Sequence, residues 1–86
     1  MNKSNQKNKK IFMTIHPREP IMITVGEDKN LCLWDIEKNK LLNNNKKQLD
    51  DYPTCVKFSP DGDSIIVGFI SGNFQILDSK IQKNAN

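Results

Sequence analysis

Short apolar segments alternate with turn residues along the chain, at about one segment per ten residues. Segments rich in branched aliphatic and aromatic residues favour strands, and the Gly, Pro, Asn and Asp residues between them favour turns. Seven strands are predicted on this basis, over residues 11–15, 21–25, 31–34, 40–42, 54–58, 64–68 and 73–77. No window shows the i, i+3, i+4, i+7 spacing of an amphipathic helix over three turns. The pattern therefore predicts an all-β meander of antiparallel strands.

The two halves of the chain repeat each other. The matching segments are residues 15–17 with 58–60 and 31–35 with 74–78, each 43 positions apart, and Val25-Gly26 with Val67-Gly68, 42 positions apart. The different spacing of the third match predicts a single-residue insertion or deletion in a turn. A repeat of this length with three or four strands is typical of propeller blades, which bury their faces against neighbouring blades. We expect a first blade over residues 11–45 and a second, partial blade over residues 46–86.

Two segments carry a family resemblance. Residues 26–35 (Gly-Glu-Asp-Lys-Asn-Leu-Cys-Leu-Trp-Asp) resemble the end of a WD repeat, and residues 58–62 (Phe-Ser-Pro-Asp-Gly) resemble the start of one. The resemblance implies four-stranded antiparallel blades of an incomplete WD-repeat propeller, about two blades in all. It also implies a buried polar network that joins a strand hydroxyl, a turn carboxylate and an indole. The residues at these three positions are Thr24, Asp28 and Trp34.

The resemblance is incomplete in both halves. The histidine that completes the network in WD repeats is missing, because His16 lies at the end of the first strand instead. In the second half, Ser71 stands at the position of the Asp and Leu77 at the position of the Trp. The second repeat is therefore degenerate, and we expect its turn to be less rigid.

A longer pattern narrows the resemblance to one family. His16-Pro17 is followed by Thr-x-Gly-x-Asp-Lys at residues 24–29, Leu-x-Leu-Trp at residues 31–34 and Gly-x-x-Ser-Gly-x-x-x-x-Leu-Asp at residues 68–78. This order is similar to the tandem propellers of the echinoderm microtubule-associated protein-like family. The resemblance implies non-catalytic protein binding, with tubulin or a microtubule-bound complex as partner and a location on the cytoskeleton. The alternative is a WD-repeat scaffold for a ciliary, trafficking or ubiquitin-ligase complex.

The basic excess of the chain lies in its first residues. The net charge is +3, but residues 1–10 hold four lysines and no acidic residue, and acidic residues outnumber basic ones in the remainder. This Asn/Lys-rich composition predicts a disordered basic tail. The remainder offers no nucleic-acid surface, the apolar runs are too short to span a membrane, and no signal peptide is expected. We expect a cytoplasmic protein with reduced thiols.

Candidate reactive side chains lack partners at a useful spacing. Cys32 and Cys55 show no zinc-site spacing, and cysteines within strands behave as small hydrophobic residues. His16 has no neighbouring carboxylate or thiol and is interpreted as a turn residue. Asp61 and Asp63 flank a glycine, but the further acidic ligands of a calcium loop are missing. We therefore expect no catalytic site, no cofactor and no metal site.

The turns between second and third strands and the loop between the blades are expected on one rim. Loops on a rigid sheet are common recognition sites. The candidate partner-binding residues on this rim are Lys29, Asn30, Asp50, Asp51, Tyr52, Ser71 and Asn73. About two blades cannot close a propeller of roughly four to eight blades. We therefore expect the open edges to be covered by the remaining blades of a longer protein or by a second copy of the chain.

Overall fold

All regular structure in the described part of the chain is β-strand. The computed structural model describes residues 10–42 and 47–79. Its strands are β1 (Ile11–Ile15), β2 (Ile21–Gly26), β3 (Asn30–Asp35), β4 (Lys40–Leu41), β5 (Lys47–Gln48), β6 (Pro53–Phe58), β7 (Ser64–Phe69) and β8 (Phe74–Asp78). All strand pairs are antiparallel, so the predicted all-β fold is confirmed. Within these residues no helix is long and apolar enough to cross a membrane.

The strands form two sheets. The first sheet has the order β1-β2-β3-β4, with β5 also paired to β3, and the second has the order β6-β7-β8. Leu41 lies opposite Trp34 and Lys47 lies opposite Leu31, so β4 and β5 occupy the same edge of β3. Together they act as one outer strand, interrupted by the residues between them. Both sheets are consistent with incomplete blades.

The position of β5 changes the boundary that the sequence predicts. Residues 46–86 were assigned to the second blade, but Lys47–Gln48 hydrogen-bond to the first sheet. This pairing forms because the backbone N–H and C=O groups at the free edge of β3 need hydrogen-bond partners. The polar side chains of β5 gave no sign of a strand in the sequence. Of the predicted tail over residues 1–10, all but Lys10 lies outside the described residues, as do residues 80–86 of the predicted second blade.

The pairing registers of the two sheets differ by a constant 43 positions. Met13 pairs with Thr24 in the first sheet, and Val56 pairs with Val67 in the second. Thr24 therefore corresponds to Val67, and Val25 corresponds to Gly68. The predicted insertion or deletion is wrong: the Val-Gly match at 42 positions is out of phase by one residue. A shift of one residue in a strand places a side chain on the opposite face of its sheet.

The core lies between the two sheets. On the first sheet, alternate residues of β2 and β3 are buried, and β7 supplies most of the facing side chains. The side chains that are fully buried in this layer are Ile23, Val25, Leu31, Leu33, Leu49, Ile65 and Val67. Burying each such side chain contributes about 1.5–3 kcal/mol relative to exposure. This layer holds the two sheets together and fixes the relative positions of their turns.

A second contact joins the sheets at the β1–β2 and β6–β7 turns. The Nδ1 atom of His16 accepts hydrogen bonds from the backbone N–H groups of Arg18 at 3.0 Å and Glu19 at 3.1 Å. The edge of the same imidazole packs on Phe58, with ring centroids 4.9 Å apart. The Arg18 guanidinium donates a hydrogen bond to the backbone carbonyl of Asp61. His16 is therefore a turn residue that also joins the sheets.

The β6–β7 turn is stabilised by its own carboxylate. The Ser59 hydroxyl donates to Asp61 Oδ1 at 2.6 Å, and the Asp63 N–H donates to the same oxygen at 3.0 Å. These hydrogen bonds, chiefly that of Ser59, hold the pKa of Asp61 below its ordinary value of 3.8. Gly62 in this turn has a φ of +79°, and a Cβ there would lie 2.3 Å from His16 Nε2.

We expect Gly62→Ala to lower the free energy of unfolding by about 2–4 kcal/mol, because it adds both backbone strain and a clash with His16. Gly72→Ala is the matched control, since Gly72 has a φ of +95° and nothing within 4 Å of an added Cβ. It should cost about 1 kcal/mol. Urea unfolding followed by circular dichroism measures both. Equal costs for the two variants would show that His16 does not restrict the turn.

Candidate functional site

Two of the three residues predicted for a polar network lie together on the first sheet. The Trp34 indole N–H donates to Thr24 Oγ1 at 2.9 Å. The two side chains share a face because Met22 pairs with Trp34 and Thr24 with Cys32. The Trp34 side chain is half-buried, and this hydrogen bond gives its indole N–H a partner.

Asp28 lies apart from this pair. Its side chain is exposed in the β2–β3 turn, where Oδ1 accepts a hydrogen bond from the Asn30 N–H at 3.1 Å. Such a carboxylate stabilises its own turn, as Asp side chains commonly do. Among the described contacts, no hydrogen bond joins Asp28 to Thr24 or Trp34. The structure therefore places Asp28 at the rim and not in a buried network.

Three loops meet at one rim of the molecule. The Leu49 N–H donates to the Lys29 carbonyl at 2.7 Å, which ties the loop before β6 to the β2–β3 turn. The Ile70 N–H donates to the Tyr52 carbonyl at 2.9 Å, which ties the same loop to the β7–β8 turn. Backbone hydrogen bonds thus hold segments of both sheets in fixed positions. The rim is a pre-ordered surface.

Lys29 and Tyr52 form the side-chain contact across this rim. Lys29 has a φ of +64°, the left-handed conformation that Gly72 adopts at the equivalent place in the second sheet. In this conformation its Nζ lies 4.8 Å from the centroid of the Tyr52 ring. A cation–π contact of this kind contributes about 0.5–1 kcal/mol at an exposed site. It also holds the phenol ring in a defined orientation.

Asp51 links the middle loop to the β7–β8 turn. Its carboxylate accepts a hydrogen bond from the Tyr52 N–H at 2.7 Å, and Ser71 donates to it as well. The Tyr52 N–H, Ser71 and the charge of Lys29 lower the pKa of Asp51 below its ordinary 3.8. The Asn73 N–H in turn donates to Ser71 Oγ at 3.5 Å. The neighbouring Asp50 is exposed on the surface.

An open groove runs between these loops and the first residues of β1 and β6. Its volume is about 690 Å³. The residues that line this rim groove are Lys10, Phe12, Glu27, Asp28, Tyr52, Pro53, Thr54 and Ile70. Tyr52 is 49% exposed and Ile70 is 69% exposed, so both present apolar surface to a partner.

Several groove residues were absent from the candidate set that the sequence provides. Phe12 lies on β1 and Thr54 on β6, some forty positions apart, and only the packing of the two sheets brings them together. Ile70 is an exposed residue of the β7–β8 turn, and the signal that the sequence holds for it is a large aliphatic residue next to the polar turn residues Ser71 and Asn73. Lys29, Asp51, Tyr52 and Ser71 meet as a group. Asp50 lies beside Asp51, Ser71 and Asn73 in a neighbouring depression.

The described residues provide acceptors and apolar surface but no metal centre. No cluster of three or more His, Cys, Asp or Glu side chains that could hold a metal ion occurs among them. The Cys32 thiol is half-buried and the Cys55 thiol is exposed, and neither forms a disulfide. His16 uses Nδ1 within its own turn. The arrangement at the rim is suited to contact with another macromolecule.

Comparison with known proteins places this architecture in a class. The two antiparallel sheets and their 43-residue repeat are those of incomplete WD-repeat blades. The chain is 33% identical over 70 residues to the 77 kDa echinoderm microtubule-associated protein of Strongylocentrotus purpuratus. It is 32% identical over 68 residues to echinoderm microtubule-associated protein-like 3 of Mus musculus. The resemblance that the sequence motifs carry is therefore confirmed.

The matches cover most of this chain and a small part of each relative. The first alignment spans 81% of the chain and 10% of the sea urchin protein, and the second spans 79% and 7%. Echinoderm microtubule-associated protein-like 4 of Homo sapiens is 26% identical over 68 residues, with 79% of the chain and 7% of the relative covered. No protein-family model matches the chain.

We expect Asp51→Asn to lower the melting temperature at neutral pH and to have no such effect in acid. The native pKa of Asp51 lies below 3.8, so its stabilising contribution is full above that value and is lost as the pH falls through the native pKa. Thermal melts of both proteins across the acid range measure the difference. Asp50→Asn removes the same charge one position away and should retain the acid dependence. A difference in melting temperature between wild type and Asp51→Asn that persists at the lowest pH would contradict the stabilising role of the Asp51 carboxylate.

Proposed function

We propose that the chain is a non-catalytic protein-binding segment of a WD-repeat protein and that its partner is tubulin or a microtubule-bound complex. The observation that carries this proposal is the similarity of about four fifths of the chain to proteins named as microtubule-associated. The backbone-fixed loops and apolar side chains of the rim support binding as the role of the chain. A cytoplasmic location on the cytoskeleton follows from the same proposal.

The rim groove is the surface that we assign to the partner. Tyr52 supplies a ring whose orientation is fixed by Lys29, and Ile70 supplies an aliphatic side chain beside it. Large side chains held in place before binding lose little conformational entropy on association, and Tyr is enriched among the residues that dominate binding energy. Glu27, Asp28 and Lys10 line the same groove, so it carries both signs of charge, and we assign the main contact to its exposed apolar side chains.

The basic tail gives a second, electrostatic contribution. Residues 1–10 carry four lysines, and such a segment attracts acidic surfaces over a distance of about 10 Å at 0.1 M salt. Tubulin presents the acidic kind of surface that this tail would meet. The tail adds affinity at low ionic strength, and the rim groove supplies the contact that persists at higher ionic strength.

Co-sedimentation with taxol-stabilised microtubules tests the rim groove. The double variant Tyr52→Ala, Ile70→Ser should weaken the affinity for microtubules by about tenfold or more, because it removes the two exposed anchors. The bound fraction should fall accordingly. Lys38→Ala is the matched control, since Lys38 is exposed in the turn after β3 and lies outside the groove. A wild-type chain that stays in the supernatant would refute the microtubule proposal. Isolation of a different complex through the same groove residues would favour the scaffold alternative.

Deletion of residues 1–10 tests the tail in the same assay. We expect weaker pelleting at low salt and a difference that disappears as salt is raised, because exposed charges are screened. Replacing the four lysines with glutamine at full length is the control for chain length. Pelleting that is unchanged by the deletion at every salt concentration would remove the tail from the binding mechanism and leave the groove untouched.

A further inference from the structure

Each sheet leaves one apolar face open to solvent. The first outer face carries the large side chains Ile11, Met13, Ile15, Met22, Cys32 and Trp34, and its three β1 residues are 59–61% exposed. The second outer face carries Ile66, Phe74 and Ile76, with Phe74 69% and Ile76 60% exposed. Contiguous apolar surfaces of this kind mark interaction sites. The question is what covers them.

By the internal repeat, each outer face corresponds in position to one side of the interface that already exists between the two sheets. On the first sheet, Leu31 and Leu33 are buried against the second sheet, and the residues 43 positions later are Phe74 and Ile76 of the second outer face. The second outer face is therefore the counterpart of the surface that the first sheet buries.

The same relation holds in the other direction. On the second sheet, Val56 and Phe58 pack against the first sheet, and the residues 43 positions earlier are Met13 and Ile15 of the first outer face. The first outer face is therefore the counterpart of the surface that the second sheet buries. The two open faces of one molecule are complementary to each other and not to themselves.

We propose that copies of this chain associate head to tail, with the second outer face of one copy packed on the first outer face of the next. The packing repeats the internal arrangement of the two sheets, in which β1 and β2 lie against β6. In the assembly, β6 and β7 of one copy therefore lie against β1 of its neighbour, whose outward side chains include Met13 and Ile15. Such a heterologous interface leaves one open face at each end of a dimer. Further copies add until the assembly closes into a ring.

The charges at the turns support this geometry. Within one chain, Arg18 of the first sheet lies beside Asp61 of the second sheet, to whose carbonyl it donates a hydrogen bond. Arg18 and Asp61 are themselves 43 positions apart. Repeating the arrangement between copies therefore brings the β6–β7 turn of one copy, which holds Asp61, next to the β1–β2 turn of the next copy, which holds Arg18, so residues of opposite charge lie in neighbouring turns.

The polar groups on the two faces do not oppose burial. The Trp34 indole on the first outer face already donates to Thr24, so covering that face leaves no indole N–H without a partner. On the second outer face, Lys57 is exposed on the edge strand β6 and occupies the position of Thr14, which accepts a hydrogen bond from the Phe58 N–H where the two sheets meet. The long side chain of Lys57 lets its ammonium stay in solvent at that edge when the face is covered. The association does not require the microtubule contact of the rim groove.

Sedimentation equilibrium of full-length chains tests the proposal with one variant for each face. Met13→Asp blocks the first outer face and Ile76→Asp blocks the second, and both residues are exposed enough to tolerate the charge in a folded chain. We expect wild type to form species larger than a dimer and each variant alone to be a monomer of 9.9 kDa. An equimolar mixture should give a dimer of twice that mass and nothing larger, because each variant supplies one intact face.

Three results would overturn the proposal. The first is a wild-type chain that stays monomeric at about 100 μM, a concentration well above a micromolar Kd. The second is a variant that associates with itself. The third is an equimolar mixture of the two variants that stays monomeric. Self-association of Ile76→Asp alone would indicate a symmetric contact through the first outer face. Ile36→Asp, which adds the same charge at an exposed isoleucine in the turn after β3, is the control and should assemble as wild type does. Circular dichroism of each variant confirms that it is folded.

Discussion

The rest of the structure depends on the burial of one face of each sheet against the other. Strand alternation gives every sheet two faces, and the side chains of Ile23, Leu33, Ile65 and Val67 fill the layer between them. Neither sheet is wide enough to form a core by itself. Once this layer forms, the turns at both ends of the strands have fixed positions, and the His16 contact with Phe58 completes the joint at one end.

The rim at the other end is a consequence of the same packing. The loop before β6 must pass from one sheet to the other, and its backbone is held by Lys29 on one side and Ile70 on the other. Tyr52 sits at the centre of this loop, and its ring is oriented by the Lys29 ammonium. A recognition surface thus arises from loops whose freedom the core has already removed, which is the general reason that binding residues lie on loops of rigid scaffolds.

Local signals predicted the strands well, and long-range pairing explains what they missed. Short segments of branched aliphatic and aromatic residues between turn residues predicted β1, β2, β7 and the other long strands. Lys47–Gln48 has no such composition and becomes β5 because β3 offers a free edge. Thr24 and Trp34 followed from a family resemblance, whereas the exposed position of Asp28 depends on its hydrogen bond to Asn30. The role of His16 required Phe58 and Gly62 to be adjacent in space, which no local pattern reports.

The degenerate second repeat makes physical sense in this arrangement. Thr24 and Trp34 correspond to Val67 and Leu77, which are buried in the layer between the sheets. In that layer an apolar pair stabilises by burial alone and leaves no polar group to satisfy. On the first outer face the indole N–H would need a partner whether it meets water or another sheet, and the Thr24 hydroxyl provides one in both cases. The hydrogen-bonded pair therefore stands on the face that is open, and the apolar pair on the face that is closed.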